Sequence, residues 1–546
     1  MINKVLIILC FLLFLFSSTY YSENKYYIAL NKGINSVGNA QILGDSIRNI
    51  NIIAIRVEFQ EDSIETAHGS GLFNLSQDTS LYIDPPPHNR LYFEDHLEAL
   101  KRYYDKVSRG KVNITYRIFP EGLDESYKLL KEMKYYSPNT TKEELNKRLS
   151  ELFRDSFLEA DNDPAIDFSD YNSFMVFHAG VGSDFSVNPY FDPYPNDIPS
   201  VFLNFNDFLL NLGESDPFYK GIPVNEGQFF IKEGIILPET ENRVDEDVEI
   251  GMNGITAHQF GHQLGLPSLF NTETGRAGIG QWSLMDMGFG NYSGLIPCEP
   301  CAWSKVFLGW EEPIEIESGE DLEVHASISD DARRIYKITI TSEEYYLIEN
   351  RRADYYGDGV SIIRSPRGVL IEADEYDADI PGTGLFIWHI DERIIKENFN
   401  SNRINADKDR KGIYLEEADG SQDIGELFEW ILPGFPTPSN GILFDAFFRG
   451  NNDSFTPFTN PPSSSNCGAN SHIYIHSISD TGNVMTFSLE KKHFYKGTPA
   501  FAVGKFYGLS PYSAEIDGDD KTEIIAVTKN GDVLAWNGED FSNVIA

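Results

Sequence analysis

Cysteine is scarce in this chain, with 4 in 546 residues. That excludes the disulfide framework on which small secreted domains depend. Basic residues are also few: 44 Lys and Arg stand against 84 Asp and Glu, a net charge of −40. Such an excess repels phosphate backbones and anionic lipid, so neither nucleic acid nor a membrane surface is an expected partner. It suits a solvated, cation-binding protein. The periodicities of collagen, of coiled coils and of multispan membrane proteins are missing too. What is there is globular: 41% hydrophobic residues, 23% charged, with 38 Phe and 28 Tyr to fill a core. At roughly 150 residues per domain, two to four domains are expected.

One long apolar run occurs, Val5 to Phe16, with Lys4 before it and Ser17, Ser18 and Thr19 after it. A basic start, a short apolar stretch and small residues describe a secretory signal peptide over 1–19. The run falls short of the ~20 residues that a spanning helix needs, which leaves an uncleaved anchor as the weaker alternative. The mature protein is expected to be secreted, with no membrane insertion after cleavage. Removing Cys10 with the leader leaves Cys298, Cys301 and Cys467, an odd number that cannot pair completely. Cys298-Glu-Pro-Cys301 reads as a loop staple or as two unpaired thiols, since neither zinc-ligand nor redox-motif surroundings accompany it.

After an N-terminal segment, 20–50, strands and helices alternate. Asn51 to Phe59 reads as a buried strand, Phe93 to Ser108 as a helix stopped by Gly110, and Val112 to Ile118 as the next strand. Thr141 and Glu144 form a capping box for a helix that buries Leu145, Leu149, Leu152, Phe153 and Phe157. Ser173 to His178 is another apolar strand. Such alternation implies an α/β layer. Ser183 to Glu249, rich in Asp, Asn and Pro, reads as a long surface insertion. From 311 to 491 helical periodicity fades and short strands take over: Tyr336–Ile340, Tyr345–Glu349, Gly384–Ile390, Ile473–Ser477 and Val484–Leu489. The acidic stretch Leu415 to Asp423 in this region reads as a solvated loop, with a calcium site as the sharper alternative.

The segment 495–546 is different again. Glu515, Asp517, Asp519, Lys521 and Glu523 occupy alternate positions, and Gly518 permits a sharp bend. Alternate carboxylates on such a tight loop can converge on one hard cation, so this loop is expected to take calcium. The segment resembles one blade of the calcium-binding FG-GAP repeats of integrin-like β-propellers. A propeller needs about four blades or more, and a single unit is visible, as a fragment or a stray module.

The most informative stretch is Asn253 to Ser268. Asn253 is placed to cap a helix and Gly265 to end it, so His258 and His262, four apart, share a face and can present two imidazoles to one zinc ion. With 11 His in 546 residues the spacing alone is weak, and its surroundings decide. These resemble the immune inhibitor A family of secreted zinc metallopeptidases, which have a zincin fold. Where that family reads HEFGHxLGLPDLY, this chain reads HQFGHQLGLPSLF. Gly278 to Gly288 resembles the family's methionine turn, with Met285 as its methionine. Arg102–Lys111, Val176–Gly180, Tyr346–Asn350 and Gly384–Asp391 match further family segments, so the likeness covers roughly Asn51 to Leu489. It implies an α/β (α+β) zincin-like metallopeptidase domain over 51–310, an appended β-rich region over 311–491, and the β-propeller-like blade at the C-terminus.

Two departures bear on function. The family's general base, a glutamate, is here Gln259, whose amide cannot take a proton at neutral pH. Losing a positioned base removes roughly 10²–10⁴ of rate. The third metal ligand, an aspartate in the family, is here Ser268, a neutral and therefore poor ligand. Asp286 and Glu273 are the carboxylates near enough in sequence to substitute. His178 and His389 read as core or surface residues. The leading expectation is a secreted homologue with lost or strongly reduced peptidase activity and weak or absent zinc, retained to bind an extracellular protein or peptide. The alternatives are an active zinc metalloendopeptidase acting on extracellular proteins and a calcium-dependent extracellular adhesion protein.

Overall fold

The computed structural model describes residues 27–28, 36–38, 47–62, 66–78, 80–186, 192–213, 216–428 and 437–491, and the backbone of three later strands. The signal-peptide run and Glu515, Asp517, Asp519 and Lys521 lie outside the described residues. Among the described residues no helix is long and apolar enough to cross a membrane.

The central sheet contains β1 (Arg48–Glu58), β2 (Val112–Phe119), β3 (Ser173–Val181), β4 (Val201–Leu203) and β5 (Gly234–Thr240) in the spatial order β2-β1-β3-β5-β4. β1 runs parallel to β2 and β3, β3 parallel to β5, and only β4 at the edge is antiparallel. Parallel strands need both faces covered, and that explains the unbroken apolar run in β1. Ile50, Ile52 and Ala54 face one hydrophobic cluster, and Ile53, Ile55 and Val57 face another.

On the first face lie α1 (Arg90–Val107) and α4 (Asn253–Leu264); on the second lies α2 (Lys142–Ala160), with α3 (Phe205–Leu212) beside it. The Asn89 side chain caps α1, and Thr141 Oγ1 accepts from the Glu144 N–H at the start of α2. Leu149, Leu152, Phe153 and Phe157 of α2 are buried and Leu145 partly so. Tyr104 of α1 donates its hydroxyl to the Ala257 carbonyl at 2.6 Å, which locks α1 to α4.

The expected surface insertion contains elements of the core instead. β5 is buried along its whole length, and β4 and α3 also fall between 183 and 249. Only Gly234-Ile-Ile-Leu is continuously apolar there, too short a run to stand out among Asp, Asn and Pro until the neighbouring strands recruit it.

The region after 311 is built of strands, as its sequence suggests. β7 (Ile335–Thr339), β8 (Glu344–Arg351), β9 (Gly384–Asp391) and β10 (Ile413–Leu415) form an antiparallel array, with Ile314–Glu315 added parallel at the β7 edge. A smaller antiparallel sheet joins β6 (Gly319–His325), β12 (Val484–Lys491) and β11 (Ile473–His476). One hydrophobic cluster contains residues from both sides of 311, from Ile50 of β1 to Trp388 of β9. Arg351 crosses the same boundary, holding the Trp282 carbonyl at 3.0 Å and gripping Asp377 through two nitrogens at 2.5 Å each. Near the C-terminus β13 (Tyr512–Ala514), β14 (Glu523–Val527) and β15 (Val533–Trp536) pair antiparallel, and Glu523 opens the middle strand.

Candidate metal centre

All twelve residues of α4 are buried, so its two histidines are held inside the molecule. Asn253 does not cap this helix. Met252 holds the cap position, and the Asn253 amide is drawn off to the Leu295 and Leu370 carbonyls at 3.2 and 2.7 Å. The C-terminal end is as expected: Gly265 takes φ of 103°, the left-handed conformation that glycine adopts without a Cβ penalty. The turn brings the Leu266 carbonyl back to His262.

His262 Nδ1 stands 2.8 Å from that carbonyl, and His258 Nδ1 stands 2.9 Å from the Leu284 carbonyl. A carbonyl can only accept, so Nδ1 carries the proton in both rings and each Nε2 keeps its lone pair. The ring centroids are 4.8 Å apart. Burial pushes His258 down to about 4 and His262 to about 3, with the His258 ring adding to the drop at His262. Both rings are therefore neutral at pH 7, the state that coordination requires.

Met285 lies beneath the helix. A Cβ on Gly261 would come within 2.6 Å of its Sδ, so only glycine admits this contact. The Leu269 N–H binds the Met285 carbonyl at 2.8 Å, and Asp286 clamps the loop from below. One Asp286 oxygen accepts from the N–H groups of Gly278, Ile279 and Gly280 and the other from Met287. Burial, opposed by those donors, pushes Asp286 up to about 6. With four main-chain bonds in place it cannot swing toward the histidines. Glu273 is half exposed and ion-paired to Arg403.

The two departures are both bound into the surrounding structure. Gln259 is 5% exposed and its Nε2 donates to the Ser200 carbonyl at 3.0 Å, just before β4. An ionised carboxylate has no proton to offer that carbonyl. Ser268 is fully buried; its N–H donates to Asn402 Oδ1 at 2.7 Å, and Asn402 Nδ2 donates to its Oγ at 2.9 Å. Ser200 and Asn402, separated from their partners by 59 and 134 residues, carried no signal in the sequence.

Among the described residues one group of three or more His, Cys, Asp or Glu could hold a metal, and it includes neither histidine. The histidine pair offers zinc two good ligands, and Ser268, a neutral hydroxyl bound to Asn402, supplies no charged third one, so these residues do not fit a zinc ion held by three protein ligands.

The remaining histidines singled out by the sequence have partners of their own. His178 hydrogen-bonds the Ala179 carbonyl and is fully buried. His389 lies between Glu344 and Glu416 at 2.8 and 2.9 Å. Burial would lower its pKa, but the two carboxylates outweigh that and raise it. Cys298 and Cys301 are buried free thiols, and Cys467 is free and exposed.

Residues 244–312 match the family model of the immune inhibitor A peptidase M6 catalytic domain. That stretch carries α4, Ser268 and Met285. The chain is also 26% identical over 238 residues to the pre-pro-metalloprotease PrtV of Vibrio cholerae serotype O1, in strains M66-2 and ATCC 39315 / El Tor Inaba N16961. The alignment covers 38% of this chain and 23% of the relative, so the chain spans about a quarter of the curated relatives it matches.

Proposed function

We propose that this chain is a secreted homologue of the immune inhibitor A-type zinc metallopeptidases whose hydrolytic centre is disabled, leaving a zincin-like fold that binds an extracellular protein or peptide. The observation that carries this reading is the bond from Gln259 Nε2 to the Ser200 carbonyl. The local structure uses the amide as a donor, which the family's glutamate, as an ionised base, cannot be. The Asn402 clamp on Ser268 supports it, since the hydroxyl at the third-ligand position is already engaged. His258 and His262 retain a weak zinc site at most. Amide hydrolysis needs a base beside a firmly held metal-bound water, and this chain lacks the base and a charged third ligand. The net charge of −40 argues against nucleic acid and anionic lipid as partners. In the C-terminal unit, the antiparallel pairing of β13–β15 supports a propeller-like repeat with calcium at the loop from Glu515 to Glu523.

The test is zinc analysis and casein digestion by the full chain beside the Gln259→Glu/Ser268→Asp double variant. The expected result is no hydrolysis and sub-stoichiometric zinc for the natural chain, with gain of both in the variant. Chelator-sensitive digestion by the natural chain at rates typical of metallopeptidases would overturn the proposal and establish the active-enzyme reading.

A further inference from the structure

A second set of charged side chains lies in the β-rich region. Glu417, Asp419 and Asp445 each place a carboxylate oxygen within 4.8 Å of the others. Glu417 and Asp419 belong to the acidic stretch after β10, whereas Asp445 comes from a turn that follows 437. The Ala418 N–H donates to the Asp445 carbonyl at 3.0 Å and brings the two segments together. Glu417 and Asp445 are 3% and 1% exposed, and Asp419 stands at the surface.

The local donors do not saturate these carboxylates. Glu417 accepts from the Asp423 and Ile424 N–H groups and from Ser421 Oγ. Asp419 Oδ1 accepts from the N–H and the hydroxyl of Ser421. Asp445 Oδ2 accepts from the Ile442 N–H at 2.7 Å, but Asp445 Oδ1 is buried and has no partner at all. A buried carboxylate oxygen without a donor costs several kcal/mol unless a proton or a cation meets it. Among the described residues no Lys or Arg is ion-paired to any of the three. Lys411 is the cation facing Glu417, and its Nζ is engaged with the Gly278 carbonyl at 2.8 Å.

We propose that Glu417, Asp419 and Asp445 form a calcium site that pins the 415–424 loop to the turn ending at Asp445. All the ligands are hard oxygens, and their mutual spacing lets one ion with bonds of about 2.3–2.6 Å touch all three. Zinc prefers nitrogen and sulfur, and magnesium needs tighter octahedral spacing, so calcium fits best. The ion would brace the candidate metal centre indirectly. The Asn440 carbonyl in the same turn accepts from the Gln281 N–H at 2.9 Å, in the loop that leads to Met285.

The test uses the full chain with Asp517→Asn and Asp519→Asn introduced, so that the C-terminal loop does not contribute. Calcium binding is measured by calorimetry, with terbium luminescence as a local probe. Trp282 Nε1 and Asp445 Oδ2 stand 2.5 and 3.3 Å from the Cβ position of Gly441, close enough for the indole to sensitise a bound terbium ion. One calcium per chain and a rise in Tm with calcium are expected in this background. Adding Asp445→Asn should abolish the binding, the luminescence and the calcium-dependent rise in Tm. If that variant fails to fold, Asp419→Asn at the surface replaces it and should weaken binding at least tenfold. Unchanged stoichiometry and affinity in a folded variant, or no calcium bound in the background chain, would overturn the proposal.

Discussion

The sharpest consequence of the site geometry concerns Gln259→Glu alone. The substitution is nearly isosteric and introduces the glutamate found in the similar peptidase family, yet the structure says it should destabilise the protein. Gln259 is 5% exposed, and its Nε2 satisfies the Ser200 carbonyl at 3.0 Å. An ionised carboxylate in place of the amide removes a bond of about 1 kcal/mol and leaves a buried carbonyl facing a buried charge, an additional ~2 kcal/mol. A cost of about 3 kcal/mol corresponds to roughly 2 pKa units, which places the introduced carboxyl near ~6.5 in the folded state against ~4.3 unfolded. For an acid raised in this way, both states are protonated below ~4.3 and the cost is absent; it grows between ~4.3 and ~6.5 and is full above. The difference in unfolding free energy between natural chain and variant should be about 1 kcal/mol at pH 5 and about 3 kcal/mol at pH 8. Urea titrations in EDTA at the two pH values measure it, with EDTA preventing metal from offsetting the charge. With an m-value of ~3 kcal/mol/M, the midpoint at pH 8 should fall by about 1 M. Equal stability at pH 8 would refute the donor role of the amide and remove the main support for a disabled centre.

Other expectations follow from the same contacts. Asn402→Ala orphans the Ser268 N–H and should cost about 1–3 kcal/mol, read as a lower urea midpoint. Gly254→Ala should be worse than Gly261→Ala, by roughly 1–3 kcal/mol. The new Cβ would stand 1.8 Å from the Phe289 carbonyl oxygen in the first case and 2.6 Å from the movable Met285 Sδ in the second. Lys305 is buried 2.5 Å from Glu299, so Lys305→Met strands a carboxylate and should cost about 3–5 kcal/mol at pH 7 in a denaturant titration. Burial would raise Glu299, but Lys305 and Arg351 outweigh it and hold it below the ordinary range. Stability from this pair is present above ~4.3 and should be lost as pH falls below that, seen as a drop in Tm in the natural chain that the variant lacks.

Much of the fold was legible because it is local. The buried strand β1, the capping of α2 by Thr141 and the end of α4 at Gly265 depend on residues a few positions apart. β5 was not legible: only its neighbours β3 and β4 turn a short apolar stretch into a central strand. Asn253 was misread for a related reason. Its side chain suits a cap, but tertiary contacts at Leu295 and Leu370 claim it.

At the site, sequence alone determined the residue chemistry. It placed two imidazoles four apart on a helix, with an amide and a hydroxyl at the positions where the similar peptidase family has a glutamate and an aspartate. Tertiary structure decided what those groups are engaged in. The tautomers of His258 and His262, the partners of Gln259 and Ser268, the commitment of Asp286 and the arrival of Asp445 beside Glu417 all arise between segments brought together by folding. The reason is physical. Backbone geometry sets spacing within a helix, whereas the partner of a buried polar atom is whichever atom packing delivers to it.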